Sequence, residues 1–423
     1  MIEPDETVLL EGAELRPDAR PLRRRRAALT FIFVTIVIDM LSFGILIPVL
    51  SPLILKLAGG QVAEATRVGG VFGTVFALMQ FVFSPLLGIL SDRFGRRPVI
   101  LISNFGLAID SVVMALAPNL AWLFAGRIIA GITAANMVTA GAYIADVTPI
   151  EKRAAGFGII GAAFGIGFIA GPALGGFAAS YGLRAPFWLA AALCLMNAIY
   201  GLFVLPESLP PEKRSAKLAW GRANPLGSLK LLRSHHELFG LAAVNLIAYV
   251  AYQSFGIYVF YTIFRFGWTP QMNGLSLALV GVVSVLVSMV LVKVAVARFG
   301  ERTTLLLGLG FAALGFIVWA LAPNVGFFWL GIVLVSLWGL MTPASQSLMS
   351  RRVQPSEQGE LQGAINSLRS IATLIGPILF AWVFAAFIAP GRQLPGAPWL
   401  LAAFLLIAAL AVALPVTRQG ARQ

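Results

Sequence analysis

The chain has 423 residues, of which 59% are hydrophobic and 12% charged, and its mean hydropathy is +0.87. Apolar runs of about 20 residues, enough to cross a hydrocarbon core, recur along its whole length and exclude a soluble globular protein. The net charge of +13 falls mostly in short segments between those runs and not on one soluble face. It is therefore read as membrane topology, and no nucleic-acid partner is expected.

In chain order, residues 1–26 form a basic leader ending in "RRRR", without the apolar core and small-residue cleavage site of a signal peptide. Cutting at charged, polar or Gly/Pro-rich breaks predicts spans 1 to 6 at 27–52, 69–91, 98–117, 121–146, 153–180 and 184–205. Spans 7 to 12 follow at 237–264, 271–296, 303–322, 325–349, 357–388 and 396–415. The expected fold is an all-α integral membrane protein of twelve transmembrane helices in two six-helix bundles, 27–205 and 237–415. A cytoplasmic linker at 206–236 joins them, with a short amphipathic interfacial helix at 224–233, and 416–423 form a cytoplasmic tail. With both termini in the cytoplasm, about 23 of the 31 Lys and Arg lie in cytoplasmic segments and about five outside, as the positive-inside rule asks. Cys194 is the only cysteine and His235 and His236 the only histidines, so neither a disulfide nor a metal site is expected.

The halves repeat in one register. "RFGRRPVIL" at 93 is echoed by "RFGERTTLL" at 298, "ALAPN" at 115 by the same five residues at 320, and "GP" at 171 by "GP" at 376, each 205 positions later. Three matches at one offset mark a duplicated six-helix unit. Parallel halves related by an axis along the membrane normal, with a site between them, are the plan of a secondary transporter. No nucleophile motif, HExxH or P-loop is present, which argues against an enzyme or an ATP-driven pump.

The stretch "GILSDRFGRR", 88–97, falls in the turn between spans 2 and 3. Gly88 is expected to allow close helix contact, Gly95 a tight turn, and Asp92 to pair with Arg93, Arg96 or Arg97 or to cap a helix. The cluster reads as a latch whose ion pairs hold one conformation and break in the other. In span 5, Gly167, Gly171, Pro172, Gly175 and Gly176 are expected to make a tight contact between the halves.

These stretches resemble the signatures of the major facilitator superfamily: 88–97 its loop 2–3 motif, "GRIIAG" at 126 its span-4 arginine motif and "GIGFIAGPALGG" at 165 its antiporter motif. With "GRIIAGITAANMVTAGAYIAD", "VARFGERTTLLLG" and "QGELQGAINSL", the chain resembles the drug/proton antiporters of the tetracycline-exporter group over about 30–415. The resemblance implies a proton-coupled exporter of a small amphipathic drug in the cytoplasmic membrane of a bacterium, monomeric and without a cofactor. A tetracycline-like substrate would arrive as a metal chelate. Proton-coupled uptake of a small nutrient or metabolite is the alternative. Where that group's pattern carries an Asp in span 9 and a His in span 8, this chain reads Ala312 and Ser284.

Ionisable residues inside spans are expensive and mark function by default. Asp110 and Arg127 lie eight residues before and nine after Pro118, which puts them at a similar depth of roughly 12–14 Å from the turn and predicts a pair. Asp39 has no basic residue in its own span and is the expected proton carrier, with Asp110 the runner-up. Their repeat positions are Val244 and Gly315, so coupling is assigned to the first half. Arg369, in span 11, is a candidate for an anionic substrate group or the Asp39 region. Candidate cavity walls are Gln80, Asn136, Tyr249, Tyr252, Gln253, Phe255, Gln346 and Asn366.

Overall fold

The computed structural model describes residues 19–134, 136–149, 152–215, 227–234, 236–391 and 393–419. Most of the leader, much of the linker, His235 and the last four residues of the tail thus lie outside the described residues. Within them, the membrane-crossing helices of the first half are Leu29–Leu57, Val62–Phe94, Arg96–Leu116, Leu120–Val147, Gly156–Tyr181 and Ala185–Val204. Those of the second are Leu238–Phe266, Pro270–Leu321, Val325–Ser350, Pro355–Phe387 and Ala397–Arg418. Pro270–Leu321 is two spans in one: Gly300 leaves the helical range at φ +76°, at the turn expected between spans 8 and 9, and completes twelve. Span 2 starts seven residues before the apolar run, and Glu64 and Arg67, one turn apart in that extension, form a 3.4 Å ion pair of the kind that supports a helix.

Local chemistry repeats with the sequence. Asn119 and Asn324, 205 positions apart, cap spans 4 and 10: each extended residue accepts at 3.2 Å from the backbone N–H three residues on. Gly95 and Gly300 take positive φ at the matching turns, where an L side chain would be strained. Span 4 breaks its helix at Ala134, and the repeat mate of that residue, Gly339, lies in the 3₁₀ turn Leu337–Leu340 of span 10. Pro48 and Pro52 in span 1 match the two ends of the 3₁₀ turn Gln253–Ile257 in span 7.

In hydrocarbon, helices associate through close packing more than through the hydrophobic effect. The first half does this with glycine: Gly171 packs on Gly44, where an added Cβ would sit 2.7 Å from a backbone carbon. The second half does it with rings. Tyr258, Tyr261, Phe316, Trp319, Phe328 and Trp399 are all at most 1% exposed and pack with centroids 5.0–5.8 Å apart, with the Tyr261 hydroxyl and the Trp319 ring N–H each donating to a backbone carbonyl.

The halves meet where span 5 crosses span 8 and span 2 crosses span 11. Gly176 faces the backbone of Pro270 and Gly274, Gly70 faces Ala381 and Pro377, and the Thr74 hydroxyl donates to the Leu374 carbonyl at 3.3 Å. All of these lie toward the face opposite the chain termini. On the termini side, Gln362, Asn366 and Arg369 share one exposed face of span 11. Polar groups at membrane depth line water and not lipid, so this face borders a cleft open toward the termini.

Candidate functional site

Two cavities lie at the centre. The larger, about 270 Å³, sits between the halves, with Phe43, Leu50, Phe72 and Phe76 from spans 1 and 2 facing Gln253, Phe255, Tyr258 and Phe260 from span 7. Spans 8 and 11 close it through Leu277, Pro377 and Ala381. The smaller, about 70 Å³, lies within the first half and gathers Asp39, Ser42, Asp110, Ser111, Arg127 and Cys194. Phe43, Leu46, Phe76 and Arg127 line both, so one wall separates an apolar chamber from a charged one.

The charged chamber holds the three ionisable residues singled out in the first half. Arg127 Nη2 donates to Asp110 Oδ2 at 3.4 Å and lies 2.9 Å from the Met114 sulfur, while its guanidinium faces the Phe76 ring at 5.8 Å. Both members are nearly fully buried, at 2% and 7% exposed. Neither is saturated: Asp110 Oδ1 and Arg127 Nε are buried without a hydrogen bond. Gly126 makes the seat, since a Cβ there would stand 2.8 Å from Asp110 Oδ1. Asp39, 6% exposed, belongs to a different pair: Asn197 Nδ2 on span 6 donates to its Oδ1 at 2.7 Å.

Arg96 centres the loop 2–3 cluster. It donates to Asp92 at 2.5 Å, to the Ser91 hydroxyl at 2.6 Å and, through Nε, to Asp146 at the end of span 4 at 3.0 Å. Glu207, in the linker, accepts from the backbone N–H groups of Arg96 and Arg97 and so caps the start of span 3 with negative charge. A side chain at Gly95 would collide with that carboxylate. Arg97 donates to the Leu202 carbonyl at 2.6 Å, and Arg93 is exposed over the Phe94 ring. The close contact expected at Gly88 is not formed in this arrangement, where an added Cβ would meet only Val138 at 3.9 Å. In the second half the positions of Arg96 and Asp146 are Glu301 and Arg351, which pair at 2.7 Å with their signs exchanged.

The span-5 motif divides between two neighbours, a correction to the contact expected of it. Gly167, Gly171 and Gly175 press on Met40, Gly44 and Ile45 of span 1, within their own half, because four-residue spacing puts them on one helix face. Gly176, with the Pro172 carbonyl, faces the other way onto Gly274 of span 8 and makes the contact between halves.

The remaining candidates scatter. Gln253 lines the large cavity and donates to Thr373 at 3.2 Å, and Phe255 lines it too. Tyr252, half exposed, packs on Phe255 and Trp338 beside it. Arg369 does not reach Asp39; its guanidinium lies 5.2 Å from the ring centroid of buried Tyr249 on the cleft side. Gln80 and Gln346 are half-buried and line neither cavity. The side chain of Asn136 lies outside the described residues. Ala312 is buried in the aromatic core and Ser284 is half-buried on span 8. Asn197 and Glu207 were not singled out by sequence, although an asparagine in the middle of apolar span 6 is the same signal that flagged Asp39.

Twelve membrane helices in two repeat-related bundles, enclosing a cavity between them and ionisable groups at membrane depth, define a membrane transporter. The chain belongs to the Major Facilitator Superfamily, whose sequence profile matches residues 32–377 and, in a second match, 241–423. It is 37% identical over 396 residues to the tetracycline resistance protein, class C, of Escherichia coli, covering 93% of this chain and 97% of that one. The class H protein of Pasteurella multocida is 32% identical, with coverage of 89% and 93%. Among solved structures it resembles the human organic anion transporter MFSD10, at a TM-score of 0.67 and 25% identity over 92% of this chain and 99% of that one. The nucleoside transporter NupG shares the fold at a TM-score of 0.74 and 15% identity, over 93% and 99% of the two chains.

Proposed function

We propose that this protein is a proton-coupled antiporter that exports a small amphipathic drug of the tetracycline type from the bacterial cytoplasm. The observation that carries the reading is the shared wall: Arg127, Phe43 and Phe76 border both the apolar cavity and the chamber holding Asp39 and Asp110. Substrate in the first and protons in the second thus act on the same side chains. The positive-inside count supports a cytoplasmic termini side, on which reading the cleft described above opens inward, where drug would load. Aromatic walls with Gln253 and Arg127 suit a flat, partly polar molecule, and the relatives named for tetracycline resistance point the same way. A tetracycline would bring any chelated metal as cargo.

The cycle runs by rocking of the halves, with the Gly176–Gly274 and Gly70–Ala381 contacts closing the outer side in this arrangement and parting when it opens. Opened outward, the chamber takes up a proton; closed outward and opened inward, it releases the proton while drug binds. The test is uptake of tetracycline and a small drug panel into inside-out vesicles with an acid interior, comparing the native chain with Asp39→Asn. Gradient-dependent accumulation lost in the variant supports the reading. Accumulation that persists moves coupling to Asp110. Accumulation only in right-side-out vesicles, driven by an acid exterior, replaces export with uptake.

A further inference from the structure

We infer that Asn197 is the positioning residue of Asp39: its amide holds the carboxylate and so sets the pH at which Asp39 exchanges a proton. The inference deepens the transport reading above and rests on it for the use to which that proton is put.

Asn197 is fully buried, at 0% exposed, in an otherwise apolar stretch of span 6. Burying an amide is unfavourable unless its hydrogen bonds are made. Here both Nδ2 hydrogens are spent on span 1, one on the Thr35 carbonyl at 3.1 Å and one on Asp39 Oδ1 at 2.7 Å. Thr35 stands one helical turn before Asp39, so the amide straddles a single turn and fixes where the carboxylate sits. A general packing residue would not need this geometry.

The other end of the amide is equally informative. Asn197 Oδ1 is buried and makes no hydrogen bond. An ionised carboxylate needs a donor, which Nδ2 supplies; a protonated one carries an O–H and needs an acceptor, which Oδ1 supplies once the amide turns over. One side chain can thus serve both forms of Asp39, while its own protonation never changes. When Asp39 takes a proton from water in the cleft, its carboxylate becomes a carboxylic acid, and the reverse step returns the proton to water.

Other groups line the chamber around Asp39. Span 3 presents Asp110, span 4 presents Arg127 and span 6 presents Cys194, all lining the same chamber. Arg127 is engaged by Asp110, and the Ser42 hydroxyl donates to the Ile38 carbonyl. Span 2 contributes Phe76 there, and span 5, packed on another face of span 1, contributes glycines 167 and 171.

The test is infrared difference spectroscopy of the purified protein in lipid, titrated with pH and followed at the carbonyl band of a buried protonated carboxyl group. Asp39→Asn identifies the band. Asn197→Leu, branched like asparagine but larger and apolar, removes this donor to the ionised form and is expected to move the midpoint of that band by about one pH unit toward alkaline. Should the leucine variant fail to fold, as judged by size-exclusion chromatography, Asn197→Ala removes the same donor without added bulk. In vesicles, the pH profile of drug uptake is expected to move with the band. A band absent in Asp39→Asn and shifted in the Asn197 variants supports the assignment. An unshifted midpoint, or a spectrum that Asp39→Asn leaves unchanged, overturns it. Failure of the native chain to accumulate any drug, with the band still shifting, would sink the export reading and leave the Asn197–Asp39 pairing standing.

Discussion

Breaking the Asp110–Arg127 pair tests whether the two residues act as one unit. Both are buried, so removing either leaves a charge without its partner in a medium that solvates it poorly, a change worth about 3–5 kcal/mol. The geometry places this pair at the low end: one contact of 3.4 Å, an unused oxygen on one side and an unused Nε on the other. About 3 kcal/mol is therefore expected for Arg127→Leu and for Asp110→Asn singly. Since neither charge is stranded when both are gone, the double variant should lose about 4 kcal/mol and not 6, a coupling of about 2 kcal/mol. Unfolding in mixed micelles of rising SDS content, followed by far-ultraviolet circular dichroism, measures all four corners of the cycle. Losses that add to within about 0.5 kcal/mol would show that the residues do not sense each other, and the pairing argument would fall.

Gly171→Leu should lower thermal stability by about 1–3 kcal/mol or block folding, because both neighbours of the new Cβ are backbone, whereas Gly73→Ala meets only the Pro377 ring at 3.1 Å and should be nearly silent. Gly274→Val should open the outer face by wedging span 8 from the Pro172 carbonyl, measured as faster labelling by a membrane-impermeant maleimide of a cysteine placed at Ser51 in a Cys194→Ser background; unchanged labelling would count against that contact as the seal. Glu301→Arg should impair transport, and Glu301→Arg with Arg351→Glu should restore it. The single variant should also lose stability, because Glu301 is largely buried and accepts from the Ser347 hydroxyl as well as from Arg351; a double variant as inactive as the single would argue against the pair.

Much of this was legible because the duplication is. The 205-residue offset that aligned "ALAPN" with itself also aligned two helix caps, two glycine turns and two helix breaks. Equal distance from Pro118 was enough to bring Asp110 to Arg127, since two antiparallel helices leave a tight turn at one rise per residue. Facing was not legible. The spacing of Gly167, Gly171 and Gly175 shows a single stripe but does not say that span 1 covers it, while Gly176 and the Pro172 carbonyl, on the other face, meet the second half. The position of Arg369 was legible as mid-span, but not the rotation that turns it toward Tyr249 and the cleft. Glu207 escaped because its role depends on a linker folding back onto a helix start more than 100 residues earlier.

The exchanged signs of the two loop brackets show what the duplication has kept. An exact repeat would carry the same sign at equivalent positions of the two halves. Here Arg96 is matched by Glu301 and Asp146 by Arg351, and each bracket still closes as an opposite pair within its own half. Divergence after duplication has reversed the polarity of the clasp and preserved the clasp itself.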